Sequence, residues 1–226
     1  MSTISSQEAT KEVFKSGFVT LIGRPSAGKS SLLNALMGKK LAISSPMAQT
    51  TRHRFRAVHT TDSHQIIIVD TPGVHKPHDT LGEELNTTAL KSLEGIDVAA
   101  FVLDASAPFG TGDEWVISQL AQCSMPKLLV LSKIDLVTQE ELDLQRQRAL
   151  EAGQWDGVVA LSSVTGEQID TFIELVEQFL PAGPLWFPAD METDQPIEVI
   201  IAEFIREGRP VIYGGRVIDA EQMKVY

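Results

Sequence analysis

The run Gly23-Arg24-Pro25-Ser26-Ala27-Gly28-Lys29-Ser30 constrains what this chain can fold into more than any other feature. It follows the apolar stretch Phe18–Ile22 and leads into Ser31-Leu32-Leu33-Asn34-Ala35-Leu36-Met37, which reads as a helix. A G-x-x-x-x-G-K-S segment between a strand and a helix is the context of a phosphate-binding loop, and a glycine-rich turn without function does not need that context. Gly23 and Gly28 allow the tight turn and let backbone N–H groups approach an anion. The helix start adds free donors and the positive end of its dipole. Lys29 can reach the outer phosphates, and the Ser30 hydroxyl can ligate magnesium. Gly23 to Ser31 are therefore the candidate phosphate contacts.

A second motif, Asp70-Thr71-Pro72-Gly73, follows Gln65–Val69, a β-branched apolar run that reads as a buried strand. An Asp at the end of such a strand can hold a magnesium-bound water. Gly73 can offer its N–H to a terminal phosphate and leaves the following segment free to move. Alone, D-x-x-G is a common strand exit. Behind a phosphate loop it is a candidate sensor of the γ-phosphate.

A third motif, Ser132-Lys133-Ile134-Asp135, ends the apolar run Leu128–Leu131. The Asp135 carboxylate can accept from N1–H and the exocyclic amine of guanine. Adenine has no such donor pair, so a buried Asp facing it would be left unpaired. The Lys133 stem can lie along the purine. Ser162-Ser163-Val164-Thr165-Gly166 follows the strand-like Val158–Leu161 and could place a backbone N–H on guanine O6, although these residues alone are a weak signal.

The order of these motifs resembles the bacterial Era-type GTPases of the translation-factor-related class. The segments that carry it are GRPSAGKSSLLNALMG, AISSPMAQTTRHRFRAVHT, IIIVDTPGVHKP, LSKID and SSVTG. The stretch Gln49 to Arg54 is the most specific of them, because it is similar to the first switch of that family. The resemblance runs from about Gly17 to about Arg206. It implies a six-stranded, mostly parallel sheet flanked by helices, magnesium-dependent GTP hydrolysis, and a role in maturing the small ribosomal subunit. Combined with the residue chemistry, it implies magnesium held by Ser30, by a switch threonine (Thr51, with Thr50 the alternative) and, through water, by Asp70. Lys29, Thr51 and Gly73 are the expected catalytic group. The family usually has Asn where Ser26 and Ser132 stand here. The first change implies little stimulation of hydrolysis by potassium, and the second a weaker contact to the base. Val164 replaces a residue that is often charged. Era proteins continue into an RNA-binding KH domain, whereas the sequence ends at Tyr226.

Composition is that of an ordinary globular protein, 43% hydrophobic and 22% charged. The net charge of −11 is poorly suited to broad, sequence-independent RNA binding, which needs clustered Lys and Arg. Arg52, His53, Arg54 and Arg56 form one local basic cluster. Cys123 is the only cysteine, so no internal disulfide can form, as suits a cytoplasmic protein. Met1 to Ser16 does not read as a signal peptide, and no stretch is long and apolar enough for a transmembrane span. Peripheral membrane contact stays open.

Residues 1–16 read as a polar arm and residues 17–180 as a GTP-binding domain. Residues 181–196, with four prolines, read as a linker. Residues 197–226 read as a short tail, the remnant or truncated start of a second domain, with a hairpin through Gly214-Gly215. Lys39 to Arg54 form a long loop, and Phe55–Thr60 with Gln65–Val69 predict a hairpin. Beyond Gly73 the pattern alternates: helix Leu81–Leu93, strand Val98–Leu103, helix Asp113–Gln122, strand Lys127–Leu131, helix Glu140–Ala152, strand Val158–Leu161, helix Gln168–Leu180. This predicts an α/β, three-layer P-loop NTPase fold with a mostly parallel sheet and one antiparallel edge hairpin.

The expected ligands are GTP or GDP and magnesium, with the small ribosomal subunit or its RNA as a partner weakly held without a KH domain. Many GTPases place Gln after the D-x-x-G glycine; Val74 stands here and cannot position water, so intrinsic hydrolysis should be slow. The alternative is a guanine-nucleotide-binding regulatory module with negligible hydrolysis. A small-molecule kinase using adenylate is disfavoured by Asp135.

Overall fold

A computed structural model describes residues 13–38, 55–70, 93 and 95–194, together with the strand residues 211–213 and 216–218. The expected switch loop through Arg54, the Thr71–Gly73 turn and the expected helix Leu81–Leu93, except for Leu93 itself, lie outside the described residues.

The strands are β1 (Lys15–Ile22), β2 (Phe55–Thr60), β3 (His64–Asp70), β4 (Val98–Asp104), β5 (Lys127–Ser132) and β6 (Gly157–Ala160). They form one six-stranded sheet in the order β2-β3-β1-β4-β5-β6. Every pairing is parallel except β2 with β3, which is an antiparallel hairpin at one edge. The expected sheet is therefore the one observed. The α-helices among the described residues are α1 (Lys29–Leu36), α2 (Thr111–Leu120), α3 (Gln139–Ala152) and α4 (Ile169–Phe179).

The central strands read as unbroken apolar runs because both of their faces are covered. Val98, Ala100, Val102, Leu128 and Val130 pack with Leu32, Leu33, Phe172 and Val176 of α1 and α4 on one face. Ala99, Phe101, Leu103, Leu129 and Leu131 pack with Ile117, Leu120, Leu142 and Ala149 of α2 and α3 on the other. This gives the three layers. Helix α3 is the most polar of the helices and depends on its cap: Thr138 Oγ1 accepts from Glu141 N, and Thr138 N donates to Glu141 Oε2 at 2.8 Å. A cap of this kind contributes about 1 kcal/mol.

Two expectations shift. β1 begins at Lys15 rather than Phe18, because Lys15 and Ser16 register with His64 and Gln65. The stretch expected as a linker is hydrogen-bonded to the sheet through residue 194. Ser16 N donates to Pro181 O, Gly183 N to Phe14 O, and Ser16 Oγ to Pro184 O at 2.6 Å. Gln65 is fully buried, and its amide bonds Trp186 N, Phe187 N, Phe187 O and Thr60 Oγ1. Val58 N then donates to Glu192 O, Asp194 N to Arg56 O, and Arg56 N to Asp194 Oδ1, along the outer edge of β2. Prolines hid this in the sequence, because Pro marks a turn or an edge equally well. The strands β7 (Val211–Tyr213) and β8 (Arg216–Ile218) form a separate antiparallel pair, with Tyr213 opposite Arg216, as a hairpin through Gly214-Gly215 requires.

Candidate functional site

Parallel strands put their carboxyl ends on one side of the sheet. Leu21 registers with Asp70, Ile22 with Phe101, and Asp104 with Ser132. The motif residues within the described range all follow or end these strands.

The Gly23–Ser30 loop is shaped by close approach and by unusual backbone angles. A Cβ on Gly23 would lie 2.3 Å from the Val102 carbonyl oxygen, so only glycine fits there. Gly28 caps α1 at φ 96°, ψ 8°, in the left-handed region. Ser26 also has positive φ, at 63°. A side chain there costs about 1 kcal/mol, and such strain collects at ligand sites. Pro25 and Ala27 complete the turn, with Ala27 N donating to Arg24 O at 3.3 Å. Ser30 and Ser31 lie in the first turn of α1. Lys29 is buried, and its Nζ donates to Gly23 O at 2.9 Å and Arg24 O at 2.8 Å. The ammonium thus lies within its own loop.

Arg24 turns outward to a residue that sequence reasoning missed. Its Nε lies 3.2 Å from Asp113 Oδ1, whose side chain is only 2% exposed. Asp113 is the third residue of α2, and its Oδ2 accepts from Gly110 N at 3.0 Å. Burial pushes the Asp113 carboxyl up from its usual range, and the Gly110 N–H and the Arg24 cation only partly offset this.

On the other side, Ser132 Oγ lies 2.7 Å from Ala27 O and 3.0 Å from Leu103 O and is almost completely buried. Its single proton is shared by two carbonyls. The residue expected to touch the base also ties β5 to the phosphate loop. Lys133 has left-handed backbone, φ 60°, and its Nζ is 2.5 Å from Asp104 Oδ2. Burial alone would raise Asp104; hydrogen bonds from Lys133 and Ser106, with the Lys133 charge, outweigh it and hold the carboxyl low. Ser162 Oγ donates to Asp135 Oδ1 at 2.5 Å and accepts from Val164 N and Thr165 N. Two N–H groups of the loop are thereby turned onto Ser162, while the Ser163 N–H is not. The Val164 side chain is 84% exposed. Asp104 and Asp113 carry a faint sequence signal: each is a carboxylate beside an apolar run, one ending β4 and one opening α2.

The structure thus brings together Gly23 to Ser31, Ser132, Lys133, Asp135 and Ser162 to Val164. Asp70 ends β3 beside β1. Thr51, Thr71, Pro72 and Gly73 lie outside the described residues. Among the described residues no group of His, Cys, Asp and Glu could by itself hold a metal. Oxygen donors near a phosphate, such as Ser30, suit magnesium, which keeps several waters and takes few protein ligands.

A mostly parallel sheet with a glycine-capped helix behind its first strand defines a P-loop nucleotide-binding protein. The family described as 50S ribosome-binding GTPase matches residues 18–133. GTPase Era of Alkaliphilus metalliredigens is 42% identical over 194 residues, covering 86% of this chain and 66% of that protein. GTPase Era of Halothermothrix orenii is 40% identical over 216 residues, covering 93% and 73%. A solved structure of Era with MgGDPNP and nucleotides 1506–1542 of 16S ribosomal RNA superposes with TM-score 0.79 at 35% identity, covering 86% of this chain and 67% of that one. The chain belongs to this GTPase family, within its Era group. It spans about two thirds of the length of several Era relatives it matches, 66% in the first.

Proposed function

We propose that the chain is a GTP-binding and GTP-hydrolysing switch that acts in assembly of the small ribosomal subunit. The observation that carries the reading is the junction of the phosphate loop with the Ser132–Asp135 segment, where Ser132 Oγ meets Ala27 O at 2.7 Å. One nucleotide can then place its phosphates on Gly23–Ser31 and its base on Asp135. In this reading Lys29 leaves the Gly23 and Arg24 carbonyls for the β- and γ-phosphate oxygens. Asp135, bonded by the Ser162 hydroxyl, would accept from guanine, and a backbone N–H of the Ser162–Gly166 loop would meet the guanine oxygen. Ser30, Thr51 and Asp70 would hold magnesium, which when bound neutralises charge on the phosphates. Gly73 would receive the terminal phosphate. The relatives support this, since an Era was solved with MgGDPNP and 16S RNA. Among the described residues no helix is long and apolar enough to cross a membrane; we place the protein in the cytoplasm. The domain division we propose is an arm, a GTP-binding domain, the 181–196 segment and a tail. With net charge −11, this chain alone should hold RNA weakly.

Val74 favours a second reading, a guanine-nucleotide module with negligible hydrolysis, because valine cannot orient water. Single-turnover GTP hydrolysis, with and without small ribosomal subunits, separates them: turnover that rises with subunits supports the switch, and none under either condition supports the module. Asp135→Asn should lose GTP and gain xanthine nucleotide. Equal affinity of the unaltered chain for ATP and GTP would sink the guanine assignment.

A further inference from the structure

The phosphate loop is anchored from outside by one buried carboxylate. Asp113 is 2% exposed and divides its oxygens between two tasks: Oδ2 closes the start of α2 through Gly110 N, and Oδ1 faces Arg24 Nε. The space for Arg24 is prepared, since a Cβ on Gly112 would lie 2.9 Å from Arg24 Cδ. The backbone of Arg24 has its own role. Its carbonyl accepts from Lys29 Nζ at 2.8 Å and from Ala27 N at 3.3 Å. A continuous path therefore runs from Asp113 through the Arg24 side chain to the turn of the phosphate loop and the carbonyl that receives Lys29 before nucleotide arrives. The same β4–α2 segment begins at Asp104, which pairs with Lys133. One stretch of chain, 104–113, thus grips both the phosphate loop and the base-side loop.

We propose that Asp113 is a positioning residue for nucleotide binding, acting through Arg24 to hold the phosphate loop in register. The inference rests on the reading of Gly23–Ser31 as the phosphate site. Arg24 is more than a phosphate contact here. Its Nε faces Asp113, so in this proposal its contribution to a bound nucleotide is indirect. Neutralising Asp113 leaves a guanidinium without its carboxylate, and the loop loses its outside fixed point. Dissociation of nucleotide is the step expected to change, because affinity differences among variants of one site fall mostly on the off-rate.

The test uses the whole chain with fluorescent N-methylanthraniloyl GDP. The dissociation constant, the dissociation rate and the melting temperature without nucleotide are measured for Asp113→Asn, Arg24→Met, the double variant and Arg24→Lys. Either single substitution should weaken GDP by about tenfold, chiefly through faster release. The double variant should be weakened by little more than the worse single, the mark of residues acting as one unit. Arg24→Lys, which keeps the charge, should recover part of the loss. A carboxylate that only capped α2 would lower the melting temperature in Asp113→Asn while leaving GDP affinity and Arg24→Met untouched. GDP affinity within about twofold of the unaltered chain in both single variants, or losses that multiply in the double variant, overturns the proposal. Arg24→Met is a partly exposed change that spares the helix cap, so it stays informative if Asp113→Asn folds poorly. An unaltered chain that fails to bind GDP overturns the phosphate-site reading and the proposal with it, an outcome distinct from the others.

Discussion

The two ends of the sheet solve the same problem in different ways. At the amino ends of the strands, Gln65 and Ser16 are held mainly by backbone: the Gln65 amide bonds Trp186 and Phe187 backbone groups besides the Thr60 hydroxyl, and Ser16 bonds Pro181 and Pro184. At the carboxyl ends ion pairs and left-handed turns appear as well: Lys133 pairs with Asp104, Arg24 with Asp113, and Ser26 and Lys133 have positive φ. Backbone partners are permanent, and they suit an end that only has to hold. The carbonyls that cup the Lys29 ammonium can be exchanged for the oxygens of an anionic ligand. The difference separates stability from binding.

Lys29→Ala is the strongest attempt to break this comparison. It should weaken GDP and GTP by roughly a hundredfold or more, since the loop's only cation toward phosphate is removed. Its melting temperature without nucleotide should stay close to that of the unaltered chain. Titration calorimetry checks the first statement; unchanged affinity would mean the loop is not the site. Gln65→Ala tests the opposite end. It strands Trp186 and Phe187 backbone groups and should cost about 2–3 kcal/mol in urea unfolding, with GDP affinity unchanged. A large affinity loss there would dissolve the division between the two ends.

Acid gives a smaller effect at the amino ends. Burial, then the neighbouring His64, lowers the His59 pKa from 6.5. The unfolded chain therefore binds the proton more readily than the folded one. Stability is full above the unfolded value and is lost as pH falls from there toward the lowered folded value. His64 contacts Glu177, and Lys15 Nζ bonds the Glu177 carbonyl, so these groups share the site. His59→Gln should flatten the fall in melting temperature between about pH 7.5 and about pH 5.5; an equal fall in both proteins would assign it elsewhere. Smallest is Ser26→Asn. Asn tolerates left-handed backbone better than Ser, so the change should stabilise by about 0.5 kcal/mol. Potassium over sodium, at fixed ionic strength, should also begin to accelerate hydrolysis in this variant.

The carboxyl-end motifs were readable because their chemistry is local. Gly23, Gly28 and Lys29 need a fixed spacing, and the strands around them are apolar on both faces. A mostly parallel sheet with one antiparallel hairpin followed from the alternation and from the two strand runs at β2 and β3. What sequence could not show are pairings between distant positions. Asp113 reaches Arg24 only because β1 and β4 are neighbours, and Gln65 meets Phe187 only once the chain has crossed below β3. Ser132 looked like a shortened base contact, yet in place its hydroxyl meets two carbonyls before any ligand. Periodicity sees faces of elements; it is blind to which remote group fills a face.

The run of hydrogen bonds from Glu192 and Asp194 to β2 has a further consequence for colloidal behaviour. β2 is the end strand on that side of the sheet, and a bare end strand is a template for other chains. Val58 N donates to Glu192 O and Arg56 N to Asp194 Oδ1, so these donors are masked and acidic side chains are posted beside them. A fragment cut at Leu180 would keep every strand of the sheet and lose this cover. Its danger would be self-association through the uncovered β2 rather than unfolding, and light scattering would register it before circular dichroism does.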